Sequence, residues 1–388
     1  MCHNFLGMEN QLHRRSFLTR LSVGVTSLLA MPLAGAAKNL KQSFQSINKA
    51  KMEPIIQIKP MGFQWETADP FLFCVHHEDS FPAGNEVMGP AVSLKGRNMG
   101  DDFIIKDGFR MYHGRTVPGF PGHPHRGFET ITIVRQGMVD HADSLGAAGR
   151  YGNGDVQWMT AGKGVQHSEM FPLIKKDAAN PMELFQIWLN LPKKNKMVEP
   201  HFKMLWGEDI PKYKHQDEQR KTTTVEVIAG SLADKKAGAP PPDSWAADPQ
   251  NCVAVWNIKM DAGAQWVLPR TASGVNRTIY FYQGETLQVG ETTVQKYNAI
   301  TLHADVDVVL QSGNAECGIL LLQGKPINET VIQYGPFVMN TKEEINQAFE
   351  DYHKTQFGGW PWSRFDQVHP REKGRFAKHA DGSEEVKG

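Results

Sequence analysis

Polar and apolar residues alternate with a period of two over several stretches of this chain, which is the pattern of half-buried β-strands. The clearest stretch is Glu129–Val134. Gln136-Gly137 then gives a turn signal, and Met138–Asp143 returns the chain. Asn153-Gly154 is a further hairpin signal before the next apolar run. Repeated hairpins of this length predict a small β-barrel whose interior can hold a ligand.

The second half of the chain repeats this style. The run from Met182 to Leu191 closes the first barrel, and Pro192 precedes the crossing to the second. The composition, with 36 glycines and 23 prolines, suits many short strands and turns. The predicted fold is therefore all-β, with two tandem jelly-roll-like β-barrels at residues 56–192 and 193–340. Strand patterns of the second barrel are Thr223–Ala229, Cys252–Met260, Thr278–Gln283, Thr286–Val289 and Glu316–Gln323.

A C-terminal helix interrupts the strand pattern over residues 341–357. Thr341 is a natural N-cap and Glu344 follows it at the spacing of a capping box. Ile345 and Phe349 recur at helical spacing and are expected to pack onto a barrel. Residues 358–388 form the tail. From Ser363 onward it is charged and has little apolar content, so we expect it to be mobile, with His369 and His379 exposed to solvent.

The N-terminal residues 1–36 form a separate segment. Arg14 and Arg15 precede Phe17-Leu18, and a moderately apolar run follows, which matches a twin-arginine export signal. The run is short of a membrane span and is interrupted by Pro32, so no stable membrane anchor is expected. We expect cleavage after the small residues that end this segment, a linker over residues 37–55, and a periplasmic protein exported in the folded state.

The charge balance excludes a nucleic-acid-binding role of the usual kind. Basic and acidic residues both number 42 in the full chain. Removing residues 1–36 leaves 39 basic and 41 acidic residues, without a basic patch. We therefore expect a soluble two-domain protein, with small molecules rather than nucleic acid as its partners.

Two pairs of potential metal ligands lie on predicted strands of the first barrel. Residues two apart in a strand point to the same face, so His123 and His125 form one pair and His167 and Glu169 form the other. Three imidazoles and one carboxylate suit iron(II), manganese, nickel, copper or zinc, and leave positions open for a substrate. Buried core histidines are the alternative interpretation. Glu129 shares the parity of His123 and could supply the carboxylate in place of Glu169.

Four segments of the chain resemble the pirin family of the cupin superfamily. They are His123–Thr130, Gly154–Gly162, His167–Met170 and Gln333–Asn340, and the resemblance extends from about Met61 to about Gly358. It implies two fused cupin barrels with one divalent metal, usually iron, in the N-terminal barrel only. Carried over residue by residue, it implies His123, His125, His167 and Glu169 as the metal ligands.

The resemblance also implies an activity. Active pirins are similar to quercetin 2,3-dioxygenases, so a small phenolic substrate such as a flavonol and dioxygen are the expected partners, and iron(II) is the expected metal. Glu169 would then act both as a ligand and as the base that accepts the substrate proton. The alternatives are a non-catalytic, metal-dependent binding or redox-sensing protein, and a cupin isomerase or hydrolase.

Two further expectations concern an insertion before the first ligand strand and the oligomeric state. Between Asp69-Pro-Phe-Leu72 and His123 the chain carries about thirty residues more than the family pattern. This insertion, from about Asn85 to Arg110, precedes the first ligand strand and is expected to reshape the mouth of the pocket. A fused double barrel can complete the usual cupin dimer within one chain. We therefore expect a monomer.

Overall fold

The computed structural model describes residues 53–387. The predicted export signal and most of the predicted linker lie outside these residues. Within the described part of the chain, no helix combines the length and the apolar character needed to cross a membrane.

The described chain is built mainly from β-strands. In the first half they are β1 (Ile55–Pro60), β2 (Gln64–Trp65), β3 (Phe71–Phe81), β4 (Gly119–His125), β5 (Phe128–Gln136), β6 (Met138–Asp143), β7 (Ala148–Gly152), β8 (Val156–Thr160), β9 (Val165–Met170), β10 (Asn180–Asn190) and β11 (His201–Leu205).

The second half continues with β12 (Lys212–Gln216), β13 (Thr222–Ala229), β14 (Ser231–Leu232), β15 (Lys235–Lys236), β16 (Ala254–Met260), β17 (Gln265–Leu268), β18 (Asn276–Gln283), β19 (Thr286–Val289), β20 (Thr292–Gln295), β21 (Asn298–Leu302), β22 (Val308–Ser312), β23 (Cys317–Gly324), β24 (Ile332–Tyr334), β25 (Phe337–Met339), β26 (Arg375–Lys378) and β27 (Glu384–Lys387). One α-helix, α1, spans Lys342–Thr355, and short 3-10 helices lie at Lys193–Asn195, Trp245–Ala247, Pro249–Asn251 and Gln356–Gly358.

Two six-stranded sheets form the first barrel. One has the order β11-β8-β5-β10-β3-β2, and the other has the order β27-β26-β7-β6-β9-β4. All neighbouring strands within them are antiparallel. Because side chains alternate across a strand, each sheet presents one face to the barrel interior and one face outward.

The second barrel pairs a seven-stranded sheet, β1-β21-β18-β23-β16-β13-β12, with a four-stranded sheet, β17-β22-β19-β20. Its interior is filled by buried apolar side chains, including Trp256, Phe281 and Leu321. A second apolar core lies between the barrels and joins Ile131 and Phe185 of the first to residues such as Leu320 of the second. The predicted all-β fold of two cupin barrels is confirmed.

The ends of the barrels differ from the predicted boundaries. Strand β1 pairs with β21 and so belongs to the second barrel, although residues 56–192 were assigned to the first. Strand β11 pairs with β8 and so belongs to the first, although residue 193 was the predicted boundary. An edge strand presents unpaired backbone groups, and a distant segment can satisfy them as well as a neighbouring one.

Helix α1 has the capping box predicted at Thr341. The Thr341 hydroxyl accepts a hydrogen bond from the Glu344 backbone N–H at 3.1 Å, and the Glu344 carboxylate accepts one from the Thr341 N–H at 3.1 Å. Ile345 is buried against Phe337, and Phe349 is partly buried in the same cluster. The helix therefore packs onto β25, and its Asp351 side chain pairs with Arg126 of the first barrel at 2.8 Å.

The predicted mobile tail is instead part of the first barrel. Strand β26 pairs with β7, and Phe376 is buried. The guanidinium of Arg150, itself buried and paired with Asp140, donates hydrogen bonds to the carbonyl oxygens of His369 at 2.9 Å and Pro370 at 2.8 Å. His369 is accordingly buried rather than exposed, while His379 is partly exposed. Although this segment has few apolar residues, its backbone carbonyl oxygens accept hydrogen bonds from the buried Arg150 guanidinium, and these bonds order it.

The additional segment Asn85–Arg110 is also folded. Arg97 forms an ion pair with Asp102 at 2.9 Å, and its guanidinium lies over the ring of Phe109. The chain then continues through Tyr112 toward β4. A fixed loop therefore leads into the strand that carries the first candidate ligands.

Glu129 lies between the first barrel and the segment that leads into the second. Its carboxylate accepts hydrogen bonds from the hydroxyls of Thr160 at 2.6 Å and Ser244 at 2.5 Å. The side chain is fully buried, and this burial raises its pKa from 4.5 to about 7. The charged form is thus disfavoured in the folded protein.

This shift predicts a pH-dependent stability. Between about pH 4.5 and 7 the folded protein holds a proton on Glu129 that the unfolded chain has released, so the free energy of unfolding falls as the pH rises through this range. The glutamine in the Glu129→Gln variant has no proton to titrate, so the variant does not lose this stability. Its free energy of unfolding relative to that of wild type should increase by about 3 kcal/mol from pH 4.5 to pH 7.5. Denaturant unfolding of both proteins across this range measures the difference.

The comparison between variants matters because the buried histidines also make stability depend on pH in this range: burial lowers their pKa values below those of the unfolded chain, so their contribution to the free energy of unfolding rises with pH. Glu372→Gln, at an exposed position, controls for the change of charge. A constant difference between Glu129→Gln and wild type at all pH values would contradict the prediction.

Candidate metal centre

Three imidazoles converge inside the first barrel. Strands β4 and β9 pair so that His123 lies directly opposite His167, and His125 follows two residues later on β4. Potential ligand nitrogens of His123, His125 and His167 all lie within 4.8 Å of one another. The ring centroids are 4.5 to 4.9 Å apart. The period-two spacing and the cross-strand register together produce this group.

The orientation of His123 is fixed by its own strand. Its Nδ1 lies 3.0 Å from the carbonyl oxygen of Pro121, which can only accept, so Nδ1 carries the proton and Nε2 presents its lone pair. Pro121 lies within the irregular stretch between Phe120 and His123 where the pairing with β9 shifts register. This bulge turns the His123 ring toward the other two imidazoles.

All three imidazoles are neutral in the folded protein. Burial lowers the pKa of His123 to about 4 and holds the pKa values of His125 and His167 well below the usual 6.5. Nδ1 of His125 and both ring nitrogens of His167 have no hydrogen-bond partner. Buried nitrogens without partners are costly unless an ion or water satisfies them. Neutral imidazoles with available lone pairs fit a divalent transition metal.

Glu169 lies at the side of this group. Its nearest approach to the imidazoles is 3.8 Å, between a carboxylate oxygen and Nε2 of His167. The carboxylate accepts hydrogen bonds from the Thr132 hydroxyl at 3.0 Å and from the Gln186 amide at 3.5 Å. Burial raises the pKa of Glu169 above 4.5. The side chain is therefore within the pocket, held by β5 and β10, and is able to accept a proton.

Glu129 does not lie in this pocket. Strand β4 ends at His125, and a turn containing Gly127 precedes β5, so Glu129 does not continue the parity of His123 as the sequence suggested. On β5, Thr132 faces Glu169 and the pocket, and the alternation therefore places Glu129 on the outward face with Ile131. Of the two candidate carboxylates, the structure brings only Glu169 beside the imidazoles.

His141 and Asp143 are two polar residues of the pocket wall that were not predicted from the sequence. On β6, His141 lies opposite Glu169, and Asp143 lies opposite His167. Nε2 of His141 is 3.2 Å from the Asp143 carboxylate, and the ring is 5.5 Å from that of His167. These two residues are two apart on a strand that lies next to the His-x-Glu strand. The parity argument used for the ligands could therefore have identified them.

Family models match both halves of the chain. The model described as Pirin matches residues 84–189, and the model described as Pirin C-terminal cupin domain matches residues 255–358. The first match contains all four predicted ligands. The matches fall on the two barrels.

Individual relatives agree with these matches. A Pseudomonas aeruginosa protein named "putative quercetin 2,3-dioxygenase" is 38% identical over 239 residues, covering 62% of this chain and 79% of its own. Human pirin is 34% identical over 263 residues, covering 66% and 83%. The crystal structure of a quercetin 2,3-dioxygenase from Acinetobacter baumannii superposes with a TM-score of 0.62 at 28% identity, covering 79% of this chain and 99% of that one. On these sequence matches, the chain belongs to the pirin family.

Proposed function

We propose that this protein is an exported, metal-dependent dioxygenase that opens a flavonol or a related phenolic substrate. The observation that carries the proposal is the group of three imidazoles beside the Glu169 carboxylate, two of which, His125 and His167, are buried with unpartnered nitrogens. The relatives named or solved as quercetin 2,3-dioxygenases support the substrate class.

His123, His125 and His167 would hold the metal, with Glu169 as the fourth candidate ligand. We propose iron(II), while copper, nickel, manganese and zinc also accept this set of donors. When bound, the metal supplies Lewis-acid and redox chemistry that lets a chelated phenol react with dioxygen. A metal held by these three nitrogens would have room for a hydroxyl and a neighbouring carbonyl oxygen of the substrate.

The protein side chains orient the substrate and move its proton. Glu169 accepts the proton of the substrate hydroxyl at a carboxylate oxygen, and its raised pKa makes it a stronger base than an ordinary glutamate. Thr132 and Gln186 keep the carboxylate directed into the pocket. The burial of His125 and His167 strengthens electrostatic interactions around them, because the protein interior screens charge less than water does.

Removal of one imidazole should weaken metal binding and abolish oxygen consumption. Purified wild-type protein should contain about one metal ion per chain and consume dioxygen with quercetin, whereas His125→Ala should lose at least tenfold in metal affinity and all measurable uptake. Elemental analysis and an oxygen electrode provide the two readouts.

His303→Ala, in the second barrel, is the matched control and should keep both properties. Wild-type protein without metal would refute the proposed centre. Stoichiometric metal without oxygen uptake on a panel of phenolics would instead indicate a non-oxidative cupin enzyme or a binding protein.

Glu169→Gln should separate proton transfer from the binding of metal by the imidazoles. The amide cannot accept the substrate proton, so kcat with quercetin should fall by about 100-fold or more. The three histidines remain, so metal should still bind, although with lower affinity if the carboxylate is also a ligand. Glu129→Gln is the matched control, because its carboxylate lies on the outward face of β5 and its loss should leave kcat unchanged. Equal rates for wild type and Glu169→Gln would exclude Glu169 as the base.

Export by the twin-arginine route is a separate part of the proposal and rests on Arg14-Arg15 and the mildly apolar run that follows them. Changing both arginines to lysine preserves the charge and should retain the protein in the cytoplasm. Arg20→Lys, outside the pair, should still reach the periplasm. Cell fractionation with immunodetection gives the distribution, and periplasmic localisation of the double variant would contradict this route.

A further inference from the structure

A cavity leads into the first barrel at the end where the turn between β6 and β7 lies. Its volume is about 270 Å³. The mouth is lined by the exposed residues Leu145 and His201 and by Asp381, in the turn between β26 and β27. The inner wall consists of apolar side chains that are at most 7% exposed, namely Ala147, Met159, Val165 and Phe202.

The register of β4, β9 and β6 places this inner wall next to the candidate ligands. Asp143, which lines the cavity, lies directly opposite His167, and Val165 lies directly opposite His125. Residues opposite each other on antiparallel strands have Cα atoms about 4.5–5.5 Å apart and side chains on the same face of the sheet. The cavity and the imidazoles therefore lie on the same, interior face of this sheet.

His141 lies between the cavity wall and the candidate ligands. Its ring centroid is 5.4 Å from that of Phe202, which lines the cavity, and 5.5 Å from that of His167. Its Nε2 is 3.2 Å from the carboxylate of Asp143. The imidazole is 0% exposed. The width of one buried ring thus separates the cavity from the metal centre.

The inner part of the cavity suits a small apolar molecule. Its one charged side chain, Asp143, already accepts hydrogen bonds from the backbone N–H groups of Leu145 and Ala147. Cavities with apolar walls bind apolar gases and small hydrocarbons, because water finds few polar partners there. A polycyclic substrate could not pass His141 without displacing packed side chains, whereas a diatomic molecule needs only small fluctuations of these side chains.

We propose that this cavity is the main route by which dioxygen reaches the metal centre, and that the organic substrate does not share it. The inference rests on the proposed function, which makes dioxygen a co-substrate. A flavonol held at the metal centre would hinder a second molecule that follows the same path. Dioxygen instead enters past Leu145, collects between Met159, Val165 and Phe202, and passes beside His141 to the imidazoles.

The first test follows dioxygen itself and requires no turnover. Dissolved dioxygen is paramagnetic and speeds the nuclear relaxation of the protons that it approaches, and zinc-loaded protein is diamagnetic. Under dioxygen pressure, the methyl protons of Met159 and Val165 should relax faster, while those of Leu321, buried in the second barrel, change less. Leu145→Trp places an indole at the mouth and should reduce the enhancement at Met159 and Val165 by about threefold.

The second test measures the two Michaelis constants of the metal-loaded protein. Leu145→Trp should raise the KM for dioxygen by about fivefold, because the narrowed mouth slows entry. The KM for quercetin and the metal content should stay unchanged. Ala147→Leu fills the cavity from its inner wall and should have the same effects, and thermal unfolding establishes that each variant is folded.

Two further variants serve as controls. Val309→Trp introduces the same indole on β22 of the second barrel, at a position that is 38% exposed compared with 40% for Leu145, and should change no readout. Leu145→Met keeps the volume of the side chain and should retain the wild-type values.

Three results would overturn the route: no relaxation enhancement at Met159 and Val165 in wild type, an unchanged KM for dioxygen in both filling variants, or equal rises in the KM for dioxygen and for quercetin. The dioxygenase proposal is judged separately by the oxygen uptake of wild type. Relaxation enhancement that extends to the ring protons of His141 and is reduced by Leu145→Trp, without oxygen uptake on any phenolic, would sustain the route and refute the dioxygenase.

Discussion

The antiparallel pairing of β4 with β9 is the interaction on which the metal centre depends. It places His123 opposite His167 and brings imidazoles from positions more than forty residues apart in sequence into one group. A slip of one residue in this register would turn the ligands of one strand to the opposite face of the sheet. The bulge before His123 and the neighbouring strand β6, which pairs with β9, hold the register in place.

The two barrels share one architecture but differ in the residues that fill their interiors. The second encloses apolar side chains that pack against one another, so its interior stabilises the fold. The first leaves its histidines and Glu169 inside, and their burial without full hydrogen bonding works against stability. The apolar core between the barrels, which includes Phe185 and Leu320, offsets this cost. The second barrel therefore acts as a stable support for a pocket that is less favourable by itself.

Local patterns predicted the parts of the structure that depend on local geometry. The alternation of side chains along a strand predicted that the paired histidines share a face, and the spacing of Thr341 and Glu344 predicted the N-terminus of the helix. Glu129 was misplaced in the parity argument because the turn at Gly127 ends one strand and starts another in the opposite sheet. The tail was expected to be mobile because it has few apolar residues. This prediction was wrong because the order of the tail depends on Arg150, more than two hundred residues away, which no local pattern reveals.

Strands β1 and β26, near the two ends of the described chain, each belong to the barrel that is more distant in sequence. The first strand in the described sequence completes the second barrel, and a strand at the opposite end, Arg375–Lys378, extends a sheet of the first. Neither half of the gene would therefore encode a complete barrel, and a cut between them would leave open sheet edges on both products. During synthesis, the sheet that carries the histidines gains β26 and β27 only after the strands of the second barrel have been made. The second barrel can thus be complete in sequence before the histidine-bearing sheet of the first barrel has all its strands.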